Sequence, residues 1–470
     1  MIQLVIVVVY SLVVIGIGLG ARKKVTSQNG FFVAHRQVSL PFVAGSLVAT
    51  AVGGSVTVGM AGLGFERGLT GAWWLLVGSV GLVVLGFFLA SNVRREAPYT
   101  LPELVERQYD RRVGLAASIL IVIAWVGVVA GQIVAAGKVL SILGIGSSNL
   151  WMVIFTVVFL AYTVMGGQFS VLRTDLYQAI MIYAGICVGL GLLLHRVGGL
   201  EGLRLSLPQE FFSFPLSARF GWKAFLSLLI LVGATYVVGP DMYTRLFCAR
   251  NEETAKRAAF LSALFFVPLA FAIVLIGMGA RVLYPQISPE QALPQVISGI
   301  LSPWLGGLVV AALVAALMSS ADTCLLSQGV ILTEDILKRF LPSLGERKAI
   351  SLTRLNMVIL GLVALALAMV LKGVISSLLF AYTIFTCGLV VPVIAGFCKE
   401  RISVTPEGAL AALIGGGVIG LLGRIPGLHI PLKGDLGLVG FAASAVLLFG
   451  VSFLSRRRRC AKQQTANWSQ

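Results

Sequence analysis

Charge is scarce in this chain. Asp, Glu, Lys and Arg make up 12% of its 470 residues, hydrophobic residues make up 58%, and the mean hydropathy is +0.96. A soluble domain of this length needs far more charge to cover its surface, so a soluble fold is excluded. Histidine is nearly missing: His35, His195 and His429 are the whole complement, all close to the ends of apolar runs. Neither a nucleophile–base set nor a metal motif appears, so an enzyme is not expected and no cofactor is called for. The six cysteines contain no CxxC pair, which leaves external disulfides and a zinc site without support. The alternating segments of ~10 residues that mark a membrane barrel are also absent.

Apolar runs of ~20 residues recur from end to end instead, which makes this a polytopic, all-α membrane protein. Thirteen spans are expected, roughly at 2–20, 40–63, 71–92, 113–143, 150–167, 174–195, 220–244, 258–283, 304–337, 349–371, 374–398, 405–423 and 435–455. The first run has Arg22, Lys23 and Lys24 after it and no basic residue before it, the reverse of a secretory signal. It reads as a retained helix with its N-terminus outside. The formal charge of +17 is dotted between apolar runs and not gathered on one domain, so nucleic-acid binding is not expected. With the N-terminus outside, about 26 of the 36 basic residues fall in inner loops and the tail, Arg245 among them. The basic stretch 456–470 reads as a cytoplasmic tail against the lipid surface. Lys138, inside span four, is expected to snorkel outward.

Two spans carry interruptions. Gly53-Gly54 stands in the middle of span two, and Gly239-Pro240 near the end of span seven. Glycine loosens a helix and proline removes a backbone donor. Small residues also serve simple helix packing. Taken together, the breaks start spans five apart, so spans two to six and seven to eleven form two sets of opposite orientation. Interrupted helices at matching places of inverted halves point to a transporter site at the midplane. The chain then divides into 1–39 (first helix and cytoplasmic loop), 40–219 (first repeat), 220–403 (second repeat), 404–455 (two further helices) and the tail 456–470.

Span nine contains AALMSSADTCLLS, residues 315–327. Ala316, Ser319, Ser320 and Thr323 share one helical stripe, with Asp322 beside it. Hydroxyls and backbone carbonyls are hard ligands suited to an alkali cation. Serines also bond back to carbonyls of their own helix, but an intramembrane carboxylate costs ~2.5–3.5 kcal/mol and marks a functional site by default. Asp175 has two readings. It opens a helix in RTDLYQ, where a first-turn aspartate is favourable, or it helps release the ion.

MSSADTCLLSQGVILTEDI, with YTVMGGQFSVLRTDLYQAI and GPDMYTRLFCARNEETAKRA, resembles the sodium:solute symporter family, which includes sodium/proline, sodium/glucose and sodium/sialic-acid transporters. The resemblance covers nearly the whole chain. It implies a LeuT-type fold of five plus five inverted helices, with one extra N-terminal and two extra C-terminal helices. It implies sodium as coupling ion and a small organic solute as cargo, carried across the cell membrane by alternating access. The implied sodium ligands are the carbonyls of Ala49, Val52 and Ala316 and the hydroxyls of Ser319 and Ser320. Asp175, Asp322 and Thr323 match the place where some members hold a second sodium, though Asp322 stands where they have serine or threonine. A second sodium and an exit path both remain open there. Ala51, Ser55 and Val56 stand where sugar transporters carry polar or acidic groups, and Ala51 where proline permeases carry aspartate. Trp73, Gln132 and Tyr236 are the expected substrate contacts. A proton-coupled symporter and a transporter-like solute sensor are the alternative readings.

Overall fold

A computed structural model describes residues 2–22, 27–371, 373–422 and 436–468. Lys23, Lys24 and His429, and the side chains of Arg459, Cys460 and Lys462, lie outside the described residues. Among those described, the chain is helical throughout, with only isolated bridges joining Val38 to Ala249 and Ser217 to Phe220.

Among the described residues, nine helical stretches are long and apolar enough to cross a membrane, and three shorter apolar helices, Ile2–Ile17, Leu40–Ala51 and Pro406–Leu422, accompany them. Two of the nine, Ser55–Glu96 and Ser148–Val197, run 42 and 50 residues. At 1.5 Å per residue, each is about twice the length of one crossing. The first turns at Gly68, whose φ of 68° and whose contact with the Phe211 carbonyl admit no side chain. The second kinks at Gly167, which has a φ of 55° and a ψ of −163°.

The helices that build the centre are α1 (Ile2–Arg22), α2 (Leu40–Ala51), α3 (Met60–Arg67), α4 (Trp73–Val84), α5 (Arg111–Leu140), α6 (Ser148–Val197), α7 (Ala234–Val238), α8 (Pro240–Cys248), α9 (Glu252–Leu283), α10 (Pro303–Ile331), α11 (Glu346–Leu371) and α12 (Val374–Phe385). Their starts are chemically marked. Asp110 accepts the N–H groups of Arg112 and Val113 to begin α5, and Ser147, Asn251 and Ser302 cap α6, α9 and α10. Pro303 follows its cap at the first helical position, where no N–H is needed.

α10 is the axis of the molecule. It is 83% buried along its apolar window, whereas the last helix, Gly437–Arg458, is 22% buried in its own. α10 packs on α1, α2, α5, α6, α8 and α11. Gly306 and Gly307 let α1 lie close against it: a Cβ there would meet Gln3 and Ile6 at 2.6 Å. α13 (Pro406–Leu422) and α14 (Leu436–Trp468) pair with each other beside residues 386–390. The basic stretch after Phe453 continues α14 as helix to Trp468.

Candidate functional site

The two interruptions are real breaks in the helical path. α2 ends at Ala51, and Val52 leaves helical geometry with φ −88° and ψ 60°. The chain resumes as a wide helical turn over Ser55–Gly59 before α3. Gln132 of α5 bridges the gap, its Oε1 accepting the Gly54 N–H at 2.6 Å. Glycine is required there by proximity. A Cβ at Gly54 would lie 2.3 Å from the Ala135 Cβ, and one at Gly53 would lie 2.5 Å from both Gln132 Oε1 and Ser320 Oγ. In the second break, Gly239 is extended, with φ −62° and ψ 137°, between α7 and α8. Pro240 then starts α8 at the first helical position.

α10 faces the first break. Ser319 Oγ donates to the carbonyls of Ala49 at 2.8 Å and Ala316 at 2.9 Å. Ser320 Oγ donates to the carbonyl of Thr50 at 2.7 Å, with the Ala316 carbonyl at 3.2 Å. Both serines are buried. The structure thus gathers Ala49, Ala316, Ser319 and Ser320 at one place and adds Thr50. The serine pair thus meets the Thr50 carbonyl, while Val52, which the resemblance also names, is the residue at which α2 leaves helical geometry.

One turn further along α10 lies an ionic cluster. Asp175 Oδ2 accepts from Ser46 Oγ and from Arg245 Nη2, the latter at 3.2 Å. Arg245 Nε donates to Ser46 Oγ at 3.0 Å, and Nη2 also reaches Thr323 Oγ1. Asp322 Oδ1 lies 3.3 Å from Thr323 Oγ1. Asp175, Asp322 and Arg245 are all 0% exposed. Asp322 Oδ2 and Asp175 Oδ1 are buried without a hydrogen-bond partner among the described residues.

This cluster corrects two expectations. Arg245 is not an inner-loop charge. It belongs to α8, which the second break swings inward, so its guanidinium points into the bundle. Asp175 is not a first-turn residue either, because the helix resumes directly after the kink at Gly167 and has run about two turns when it reaches Asp175. Its stabilisation comes from Arg245 and Ser46.

A small cavity lies beside the serine pair. Thr50, Ala51 and Ser320 line it on one side; Thr235, Tyr236 and Asp241 line it from the second break; Trp125 and Tyr382 close it. Of the expected substrate contacts, Tyr236 lies on this cavity. Gln132 is turned to the backbone of the first break. Trp73 is elsewhere: it stacks on Phe214 at 5.4 Å, packs against Phe225, and donates its indole N–H to the Pro215 carbonyl at 2.8 Å. Aromatic packing between the start of α4 and the segment after Phe211 explains that position. Lys138 does not snorkel freely, because it pairs with Glu290. Sequence reading missed Asp241 and Arg245. Asp241 had a signal, a carboxylate directly after a Gly-Pro break in a membrane span. Arg245 had none beyond its closeness to that break.

Two broken segments facing an unbroken buried helix, with carbonyls and hydroxyls between them, define a membrane transporter of the LeuT type. Residues 31–416 match the model of the sodium:solute symporter family, and the chain belongs to that family. It is a sodium-coupled symporter of a small solute and a multi-pass protein of the plasma membrane. The high-affinity proline transporter PutP of Bacillus subtilis (strain 168) is 26% identical over 461 residues, covering 94% of this chain and 95% of that one. Sodium/glucose cotransporter 2 of Rattus norvegicus is 25% identical over 482 residues, covering 90% of this chain and 71% of that one. Among solved structures, a Na+-coupled sialic acid symporter in a substrate-bound outward-open state superposes with a TM-score of 0.81 at 18% identity, over 97% of this chain and 98% of that one. The nucleobase-cation-symport-1 family transporter Mhp1 gives 0.61 at 16% identity, over 91% and 95%.

Proposed function

We propose that the chain imports a small organic solute by alternating access, with sodium held between the first break and α10. The carbonyls of Ala49 and Ala316 and the hydroxyls of Ser319 and Ser320 are the assigned ligands; Thr50 joins them, and Val52 is retained from the family pattern. The observation that carries this is the meeting of Ser319 Oγ with carbonyls from both helices, at 2.8 and 2.9 Å. An ion there bridges two bodies that must separate when the site opens, so its binding favours the form in which they touch.

The thirteen-pass topology, the two repeats 40–219 and 220–403, and the N-out, C-in orientation belong to this reading. So does a single sodium per cycle. The place of a second ion, between Asp175 and Thr323, is taken by the Arg245 guanidinium. One sodium is energetically sufficient. Entry down ~100 mV releases ~2.3 kcal/mol, and a tenfold gradient adds ~1.4 kcal/mol. The sum, about 3.7 kcal/mol, supports roughly 500-fold accumulation of a neutral solute. Asp322 stands inward of the serine pair and gives a departing cation its next oxygen.

The test is a solute screen in proteoliposomes with and without a sodium gradient. Uptake driven by sodium and abolished by its dissipation is expected. Uptake indifferent to sodium and raised by external acid overturns the coupling assignment in favour of a proton.

A further inference from the structure

The central cavity holds one acidic side chain, and among the described residues no salt bridge is made to it. Asp241 is the second residue of α8 and lines the cavity opposite Thr50 and Ser320. Its carboxylate rests on the N–H groups of its own residue and of Met242 at the helix start. Those donors occupy part of its hydrogen-bonding capacity, and the side chain stays partly open to the cavity. Among the described residues no lysine or arginine forms an ion pair with it, and Arg245, one turn on, is committed to Asp175, Ser46 and Thr323.

Three aromatic side chains share the cavity: Trp125, Tyr236 and Tyr382. Aromatic faces around a carboxylate attract a cation by their quadrupoles and offer an anion nothing. Trp125 adds a directional group, because its buried indole N–H has no oxygen acceptor among the described residues and meets only the weakly accepting Cys324 sulfur. An oxygen on the solute is a better acceptor for it.

We infer that the solute is a compact molecule bearing an ammonium group, which docks on Asp241 against the aromatic faces, and an oxygen acceptor that takes the Trp125 N–H. The inference rests on the sodium-symport reading above and names the substrate class of that same site. It excludes sugars, polyols and simple carboxylates as main cargo. The ammonium lies within the same cavity wall as Ser320, so sodium and solute share the Thr50–Ser320 contact, and each orders the surface that the other uses.

The test uses the full chain, purified, with radiolabelled probes in sodium or potassium chloride. Matched pairs separate charge from shape: choline against 3,3-dimethylbutan-1-ol, and L-alanine against L-lactate, with L-proline and myo-inositol added. Saturable, sodium-dependent binding is expected from at least one ammonium probe and from neither its neutral nor its anionic match. Asp241→Asn is expected to weaken that binding about tenfold or more, and Asp241→Glu to restore part of it, with radiosodium binding kept in both. A residue serving only as a helix cap lowers thermal stability without moving this charge preference. Equal binding by the uncharged or anionic match, or unchanged affinity in Asp241→Asn, overturns the inference. Radiosodium binding with no ammonium probe bound overturns the inference alone. Failure of the unsubstituted chain to bind radiosodium overturns the sodium reading and the inference with it.

Discussion

Arg245 and Asp175 meet as a fully buried ion pair, Nη2 to Oδ2 at 3.2 Å, although 70 positions separate them. The pair ties α8, the segment after the second break, to α6. Ser46 of α2 bonds to both partners, so three helices converge on it. Removing one partner of a buried pair leaves an uncompensated charge, at a cost of about 3–5 kcal/mol. Arg245→Gln and Asp175→Asn are each expected to lower the thermal midpoint sharply. Asp175→Asn combined with Arg245→Gln, a neutral pair, is expected to recover much of the loss. A double-mutant cycle read by thermal denaturation decides it: additive losses count against the coupling.

The same guanidinium sets the expected ion count. Asp175 and Thr323 already have a resident cation in Arg245, so under the proposed assignment sodium binds at the serine pair alone. Sodium activation of uptake is expected to be hyperbolic, with a Hill coefficient near one. A coefficient approaching two means that a second ion enters the deeper cluster despite Arg245.

Ser319 and Ser320 offer the most direct test of the sodium site. Each hydroxyl spans from α10 to a carbonyl at the end of α2. Loss of one ligand oxygen weakens the ion by about 1.4 kcal/mol or more, which is a tenfold rise in the sodium needed for half-maximal uptake. Ser319→Ala and Ser320→Ala are both expected to show that rise while expression in the membrane persists. An unaltered sodium requirement in both variants rejects the assignment.

The sequence carried the helical character, the two breaks and the serine stripe because each is a local pattern. Apolar length marks a span, a glycine pair marks a weak point, and a period of 3.6 marks a face. Partners across helices leave no such trace. Arg245 sits among Lys and Arg residues of a loop-like stretch, and only the turn made at Gly239-Pro240 brings it inside. That the serine pair reaches the Thr50 carbonyl depends on where α2 stops, to within one residue, which periodicity does not resolve. Residue type points to Trp73 and Gln132 as substrate contacts, but Trp73 packs on aromatic neighbours after Phe211 and Gln132 accepts the Gly54 N–H.

Gln132 and Gly54 together hold the first break open. The Gly54 N–H has lost its helical acceptor, and Gln132 Oε1 replaces it at 2.6 Å. Gln132→Leu leaves that buried donor unpaired, at a cost of about 1–3 kcal/mol, and Gly54→Ala drives a methyl group into Ala135 of α5. Both variants are expected to lose sodium-dependent uptake, and Gly54→Ala also to lose stability. Gln132→Glu keeps the acceptor and is expected to retain more activity than Gln132→Leu. Equal loss in the two Gln132 variants rejects a bracing role for the side-chain oxygen.

Lys138 and Glu290 form a contrasting pair. Both side chains are about a quarter exposed, at 26% and 28%, so water screens much of their attraction. The lysine alone contributes about 0–1 kcal/mol on that ground. Glu290 does more, because its Oε1 also accepts the Val374 N–H at 3.2 Å at the start of α12. It thereby joins α5, the segment before α10, and α12. Lys138→Ala is expected to leave both the thermal midpoint and the sodium requirement almost unchanged. Glu290→Ala is expected to lower the midpoint further, by freeing the α12 start, again with the sodium requirement intact. Thermal denaturation alongside sodium-dependent uptake separates the two. A large rise in the sodium requirement on replacing Lys138 moves that residue from the periphery into the coupling machinery and rejects the structural role assigned here.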